Sequence, residues 1–141
     1  MEPLEFSDLA DQSVLLIDSA PIIYVLENRG RLADRFRPLF AAHGEGRFSF
    51  AVTTITIAEV LTGPLQIGDE ELAQRYRVVL ESWRVVDLTM QIAETAARLR
   101  ASLKLKLADA VQAASAVAIN ADALVTHDRD FSRLASLRVI S

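Results

Sequence analysis

Apolar residues follow two patterns along this chain: short continuous runs, and longer segments in which they recur every three or four positions. The short runs have the length and composition of strands that are buried on both faces of a sheet. They lie at about 13–17, 47–53, 83–88, 123–126 and 137–140. The longer segments between them have the spacing of amphipathic helices. Because strands and helices alternate, the sequence predicts an α/β fold with a mainly parallel sheet.

Local signals set the expected limits of the helices. Helices are predicted at about 19–28, 31–42, 53–64, 69–82, 89–103 and 107–120, with a short turn and helix at 127–134. Pro38 should kink or split the second helix, and Gly63 with Pro64 should end the third. Thr56 and Glu59 match the spacing of a capping box, which would place a helix start at Thr56.

Length and composition favour one globular domain. We assign residues 1–12 to an acidic N-terminal tail and 13–141 to a single domain, and 51% of the chain is hydrophobic. No apolar run is long enough to cross a membrane, and the first twelve residues lack the features of a signal peptide. The absence of cysteine excludes disulfides, zinc–thiolate sites and thiol catalysis. A reducing cytoplasm is the expected location.

The net charge of −4 is not typical of a nucleic-acid-binding protein, but the basic residues are clustered. One cluster lies within 29–37 and the other within 98–106. These clusters are either solvated helix faces or two rims that hold phosphates around an acidic centre.

Four acids fall at similar points of the predicted fold. Asp18 follows the first strand, Glu59 lies in the helix after the second, Asp109 opens an Ala-rich buried helix, and Asp128 follows the fourth strand. Each has a local alternative role as a helix cap, a capping-box partner or a charge at a helix N-terminus. These local roles do not explain why all four should meet at the carboxyl edge of one sheet, where α/β proteins place their sites.

Carboxylates that meet raise one another's pKa unless a cation neutralises them. A cysteine-free cluster of oxygen ligands suits Mg²⁺ or Mn²⁺ better than zinc. Such an ion can activate water and stabilise the charge of a phosphoryl displacement, which is the outline of a phosphodiesterase site. His127 lies beside Asp128, and we interpret it as a partly exposed turn residue rather than a general base.

Segments 17–27, 53–61 and 107–128, with the Arg-Asp-Phe that follows, resemble the PIN domain and specifically the VapC-like toxins of prokaryotic toxin–antitoxin pairs. The resemblance covers the chain from residue 13 onwards. It implies a three-layer α/β/α sandwich and a metal-dependent endoribonuclease that cleaves RNA, forms a homodimer and is inhibited by a cognate antitoxin. It also assigns metal binding and catalysis to Asp18, Glu59, Asp109 and Asp128, with Thr126 ordering the site or its water.

The chain departs from this family pattern in three places. Ala20 stands where many members have Asn, the residues before the first strand are longer than expected, and Asp130 is an alternative to Asp128 as the fourth acid. We favour Asp128, because it lies directly after the strand.

Two other functions are compatible with the pattern. One is a non-catalytic PIN-like scaffold that binds RNA or a protein partner. The other is an aspartyl-phosphate phosphotransfer domain, although Ala20 occupies the position where such phosphatases place a second Asp. For the homodimer, apolar residues of the first two helices offer surface beyond what a thin sandwich must bury. These residues are Ile22, Ile23, Tyr24, Phe36, Leu39 and Phe40.

Overall fold

A parallel sheet of five strands forms the centre of the computed structural model, which describes residues 3–128, 131, 134 and 136–141. The strands are β1 (Ser13–Ile17), β2 (Phe48–Thr53), β3 (Arg84–Val86), β4 (Ala123–Val125) and β5 (Val139–Ile140). All neighbouring pairs are parallel, in the order β3-β2-β1-β4-β5. The predicted α/β fold with a mainly parallel sheet is confirmed.

Six helices connect these strands in the described part of the chain. They are α1 (Ser19–Leu26), α2 (Gly30–Gly44), α3 (Thr54–Gln66), α4 (Glu70–Glu81), α5 (Met90–Leu103) and α6 (Leu107–Ala118). None of the helices in the described residues has both the length and the apolar character needed to span a lipid bilayer. The short helix predicted at 127–134 lies partly outside the described residues.

The sheet separates two hydrophobic cores, which makes the fold a three-layer sandwich. Alternate residues of β1 point to opposite faces, as the period of a strand requires. Leu15 and Ile17 pack in the core that residues of α1, α2, α3 and α4 complete. Leu16 packs in the other core with residues of α5 and α6. Burial on both faces therefore explains why residues 14–17 of β1 are an unbroken apolar run.

Two predicted helix breaks are absent. Helix α2 runs through Pro38, and α3 continues past Gly63 and Pro64 to end at Gln66. The predicted split at Pro38 and the predicted helix end at Gly63 and Pro64 are wrong, because tertiary packing outweighs local propensity. The kink at Pro38 stays a prediction. Leu39, next to Pro38, is fully buried, and Pro64 is itself buried within α3.

Residues 3–12, which the sequence assigns to an acidic tail, pack against the domain. Leu4 is buried, and the ring of Phe6 lies edge-on to that of Phe48 with centroids 6.0 Å apart. The Arg138 guanidinium donates hydrogen bonds to both carboxylate oxygens of Asp8, at 2.5 and 3.0 Å. This segment is therefore tied to β2 and to the residue preceding β5.

The expectation that the first two helices expose surplus apolar surface is wrong. Ile22, Phe36 and Leu39 are fully buried, and Tyr24 and Phe40 are partly buried against the same core. These side chains cover their own sheet, as apolar helix stripes usually do. They therefore offer no argument for a dimer.

Candidate active site

A cavity of about 420 Å³ opens at the carboxyl ends of β1 and β4. The chain order reverses between these two strands, because the sheet extends from β1 to β2 and β3 on one side and to β4 and β5 on the other. Such a switch point leaves a crevice at the sheet edge. The residues that line the cavity are Asp18, Ser19, Ala20, Tyr24, Glu59, Ala108, Asp109, His127 and Asp128. The structure thus brings the four acids singled out in the sequence to one cavity.

Asp18 is the most constrained of these acids. It is buried, and it begins α1 as the N-cap, where its Oδ1 accepts a hydrogen bond from the Ser19 backbone N–H at 2.8 Å. Thr126 Oγ1 donates to its other oxygen, Oδ2, at 2.8 Å. Capping and membership of the site are therefore compatible roles. The capping bond from Ser19 and the bond from Thr126 together fix the direction in which the carboxylate faces.

Gln112 connects Asp18 to the start of α3. It lies on α6, is almost fully buried, and its Nε2 donates to Asp18 Oδ1 at 2.8 Å and to Thr56 Oγ1 at 2.5 Å. Its Oε1 accepts a hydrogen bond from Thr53 Oγ1 at 2.9 Å. Every polar atom of this buried amide thus has a partner, as burial demands. The network joins β2, α3 and α6 to the carboxylate at the end of β1.

Thr126 lies directly after β4 and is fully buried. Besides donating to Asp18, its Oγ1 accepts a hydrogen bond from the Asp128 backbone N–H at 3.0 Å. A single hydroxyl therefore sets both the orientation of Asp18 and the turn that carries Asp128.

Asp109 occupies the first turn of α6. Its carboxyl oxygen Oδ2 is buried without a hydrogen-bond partner. Burial, followed by the negative charge of Asp128, a side-chain hydrogen bond with Asp128 and the charge of Asp18, raises the pKa of Asp109 to about 7. Lys106, at the start of the same helix, acts in the opposite direction. Burial and the neighbouring acids therefore both disfavour the charged form of Asp109, and a positive charge bound beside it would stabilise that form.

Glu59 projects from α3, which is capped by Thr53 and not by Thr56: Thr53 Oγ1 accepts a hydrogen bond from the Thr56 N–H at 3.1 Å. The predicted capping box is therefore wrong, and Glu59 has no capping duty. Its pKa is raised by desolvation and by the charge of Asp18, and a hydrogen bond with Ser19 partly offsets the rise.

The structure also places an aromatic pair on the cavity wall. A hydrogen bond of 2.8 Å joins Tyr24 Oη and His127 Nδ1, and the two rings are nearly perpendicular with centroids 5.4 Å apart. His127 is exposed, as expected of a turn residue, but it also faces the site. The sequence interpretation did not anticipate this second feature.

The described residues contain no group of three or more His, Asp or Glu side chains arranged as a ready-made metal site. The donor set nevertheless fits a hard divalent cation. The acids around the cavity are all oxygen donors, and Asp109 Oδ2 is a buried acceptor that lacks a donor. The pKa values of Asp109 and Glu59 are both raised first by desolvation and then by the negative charge of neighbouring carboxylates.

Sequence reasoning missed Gln112. The available signal was an amide in the middle of the mostly apolar helix 107–120, three residues after Asp109 and so on the same helix face. Asp130, the alternative fourth acid, lies outside the described residues.

Comparisons with solved structures place this fold among toxin–antitoxin proteins. A chain of a toxin–antitoxin complex from Klebsiella pneumoniae is 28% identical, with a TM-score of 0.71, and the match covers 90% of this chain and 96% of that one. A chain of VapBC-1 from nontypeable Haemophilus influenzae is 22% identical, with a TM-score of 0.70, and the match covers 89% and 96%.

VapC20 of Mycobacterium tuberculosis, described as a toxin that cleaves the sarcin–ricin loop, is 15% identical, with a TM-score of 0.71 and coverage of 86% and 95%. The comparison with curated proteins found no match. The sequence itself matches the PIN domain family over residues 15–137. In its fold the chain is similar to the VapC proteins of toxin–antitoxin systems, and it belongs to the PIN domain family.

Proposed function

We propose that this protein is a divalent-metal-dependent endoribonuclease that hydrolyses RNA phosphodiester bonds and acts as the toxin of a toxin–antitoxin pair. The observation that carries the proposal is the convergence of four carboxylates on one cavity at the switch point of the sheet. Membership of the PIN domain family supports the reaction class.

Asp18, Glu59, Asp109 and Asp128 would hold Mg²⁺ or Mn²⁺. A bound ion of this kind lowers the pKa of water and stabilises the charge that develops on a phosphate under attack. The chain's own contribution is orientation. Gln112 and Thr126 hold the two oxygens of Asp18 in fixed positions, and Thr126 also positions the turn to Asp128.

RNA is the proposed substrate despite the net charge of −4. Lys104 and Lys106 precede α6 and are exposed, and Lys106 is close enough to Asp109 to lower its pKa. Exposed lysines next to the helix that carries Asp109 would hold the phosphates beside the cleaved bond. The reaction would take place in the cytoplasm, where RNA is present.

A cognate antitoxin is the proposed protein partner. Several structures with this fold are toxin–antitoxin complexes. The acidic cavity supplies a physical basis for inhibition, since an Arg or Lys inserted by a partner would compete with the metal for the carboxylates. The expected result is that a small protein encoded beside this one co-purifies with it and stops RNA cleavage.

A homodimer remains part of the proposal, although on a different surface from helices α1 and α2. Exposed large hydrophobic side chains occur at the end of α3 and on α4, including Leu65, Ile67 and Val78. Helices α3 and α4 pack against each other, and large exposed apolar side chains on them would supply the apolar area of such an interface. Light scattering at micromolar concentration should give about twice the 15.5 kDa of the chain, and a monomer would refute the dimer.

The direct test of the enzyme proposal uses the purified chain and a mixed RNA pool. We expect cleavage with Mn²⁺ or Mg²⁺, none with a chelator, and recovery when the ion is added back. Binding of RNA without cleavage under any metal condition would favour the non-catalytic scaffold. Transfer of a phosphoryl group to Asp18 would favour the phosphotransfer domain.

A further inference from the structure

We propose that His127 is a platform for a nucleobase: the base next to the cleaved phosphate stacks on its imidazole ring, which Tyr24 holds in place. The inference rests on the proposed ribonuclease function and assigns a substrate-contacting role to two residues of the same cavity. His127 then contacts the substrate, and Tyr24 is a positioning residue.

The aromatic pair lies where a neighbouring base would be. Tyr24 and His127 line the same cavity as the four acids, so a group that contacts them lies beside the reacting phosphate. The cavity of about 420 Å³ is within the usual size range of ligand pockets. Ala20 and Ala108 also line it, and their small side chains leave the aromatic wall accessible.

The imidazole of His127 is oriented to receive a flat ring. Tyr24 and Phe36 meet it at interplanar angles of 80° and 79°, with centroids 5.4 and 6.2 Å away, so neither ring is stacked parallel on it. The residue is also exposed. An exposed flat ring that lines the cavity, and on which neither of these two rings stacks in parallel, can accept a base in parallel stacking, the usual mode for unpaired RNA bases.

The chain's other histidine provides a contrast. His43 stacks parallel on Phe50, with centroids 4.0 Å apart and an angle of 8°, and its Nδ1 is 3.0 Å from the Phe48 carbonyl oxygen. The ring of His43 is therefore already stacked and hydrogen-bonded inside the fold. His127 has a similar hydrogen bond, between its Nδ1 and Tyr24. Neither Tyr24 nor Phe36, however, stacks parallel on its ring.

The hydrogen bond to Tyr24 holds the imidazole in place before any substrate binds. Tyr24 is partly buried on α1 and packs against the core, so its hydroxyl is a fixed anchor. The 2.8 Å bond to Nδ1 restricts rotation of the imidazole, whichever atom carries the proton. A platform fixed before the substrate arrives loses less entropy on binding than a free side chain does.

The test is a double-mutant cycle in which each protein variant is measured with both normal and abasic RNA. The probe is a short single-stranded RNA containing a mapped cleavage site, made with either the normal nucleotide or an abasic nucleotide on each side of the cleaved phosphate. For the wild-type chain we expect the abasic change at one of these positions to raise KM by about 5- to 160-fold, the range of base–aromatic stacking, with a smaller change in kcat.

The variants separate stacking from a structural role. His127→Ala and His127→Gln should bind the normal RNA as weakly as the wild type binds the abasic RNA, and should show no further loss with the abasic RNA. His127→Phe should restore the dependence on the base, because it retains a flat aromatic ring. Tyr24→Phe should reduce that dependence only partly. The control His43→Gln should lower the melting temperature while leaving the ratio of KM values unchanged.

The outcomes separate this inference from the proposed function. If the wild type cleaves both RNAs equally, or if His127→Ala retains the dependence on the base, the platform is refuted and the ribonuclease stands. Binding of the same fluorescein-labelled RNAs in Ca²⁺ repeats the cycle without requiring cleavage. Base-dependent binding through His127 without cleavage under any metal would refute only the ribonuclease, and failure to bind RNA would refute both.

Discussion

At the scale of single residues, the site depends on buried polar groups that hydrogen-bond to one another. Asp18 receives hydrogen bonds from Gln112 and Thr126, and Gln112 in turn accepts one from Thr53. In such a network each member orients the next. Asp18 and Asp109 could be found from their positions at strand and helix ends, and Thr126 from the family resemblance. Gln112 could not be assigned in either way, because its role depends on what lies across the interface between α6 and the sheet.

Replacing Gln112 with Met keeps the volume of the side chain but removes its hydrogen bonds. We expect the free energy of unfolding, measured with urea, to fall by about 1–3 kcal/mol, because Thr53, Thr56 and Asp18 lose buried partners. RNA cleavage should fall as well, since Asp18 is no longer held in one orientation. The matched control is Gln91→Met, at an exposed position of α5. Equal effects of the two changes would contradict the network.

Asp109 should make stability depend on pH. Its pKa of about 7 in the folded chain exceeds the ordinary value of 3.8, so between these values the folded state binds the proton more tightly than the unfolded state does. Stability contributed by this proton is therefore fully present below the ordinary value of 3.8 and is lost as the pH rises through 7. In Asp109→Asn that loss should disappear.

In metal-free buffer, the unfolding free energy of the wild type should fall by about 1–2 kcal/mol more than that of Asp109→Asn between about pH 4 and pH 8. This figure is well below the full value of the shift because the carboxyl is partly solvated. Urea titrations at several pH values measure the difference. Asp87→Asn, at an exposed position, should follow the wild type. Parallel curves for the wild type and Asp109→Asn would refute the raised pKa.

At the scale of secondary-structure elements, alternating apolar runs and amphipathic segments were sufficient to predict the order of strands and helices. The boundaries of β1 were predicted correctly at 13–17 because both of its faces are buried. Proline positions did not predict the helix ends correctly in α2 and α3, because packing holds Pro38 and Pro64 within continuous helices. Helix ends depend on a balance of a few kcal/mol that neighbouring elements decide.

Thr53 caps a helix and also belongs to the hydrogen-bond network of the site. Thr89 caps another helix without contacting that network, so it serves as a control. Thr53 caps α3 and donates to Gln112, whereas Thr89 caps α5 through Ile92 N–H and lines no part of the cavity. Both Thr→Val changes should lower the unfolding free energy by about 1–2 kcal/mol through loss of a cap. Only Thr53→Val should also reduce RNA cleavage. Loss of activity in both would indicate a general effect of stability.

At the scale of the whole molecule, an acidic chain is expected to bind RNA through local positive charge. Lys104 and Lys106 lie on either side of Leu105 and precede the helix that carries Asp109. Replacing both with Gln should weaken RNA binding without unfolding the chain. It should also reduce the slope of log K against log salt by about 1.4, that is about 0.7 for each lysine that no longer neutralises a phosphate. Fluorescence anisotropy across a series of salt concentrations measures this slope, and an unchanged slope would exclude these lysines from the RNA interface.

The carboxylates at the carboxyl edge of the sheet are expected to perform metal-dependent RNA cleavage, and this is the central claim about the molecule. Its most direct test compares two substitutions of the same kind, Asp109→Asn in the cavity and Asp122→Asn at the opposite edge, where Asp122 Oδ2 accepts a hydrogen bond from Val14 N–H. The measurement is the single-turnover rate of RNA cleavage as a function of Mn²⁺ concentration. We expect Asp109→Asn to lose at least about 100-fold while remaining folded, and Asp122→Asn to cleave like the wild type. Cleavage by Asp109→Asn at the wild-type rate and Mn²⁺ requirement would contradict the account.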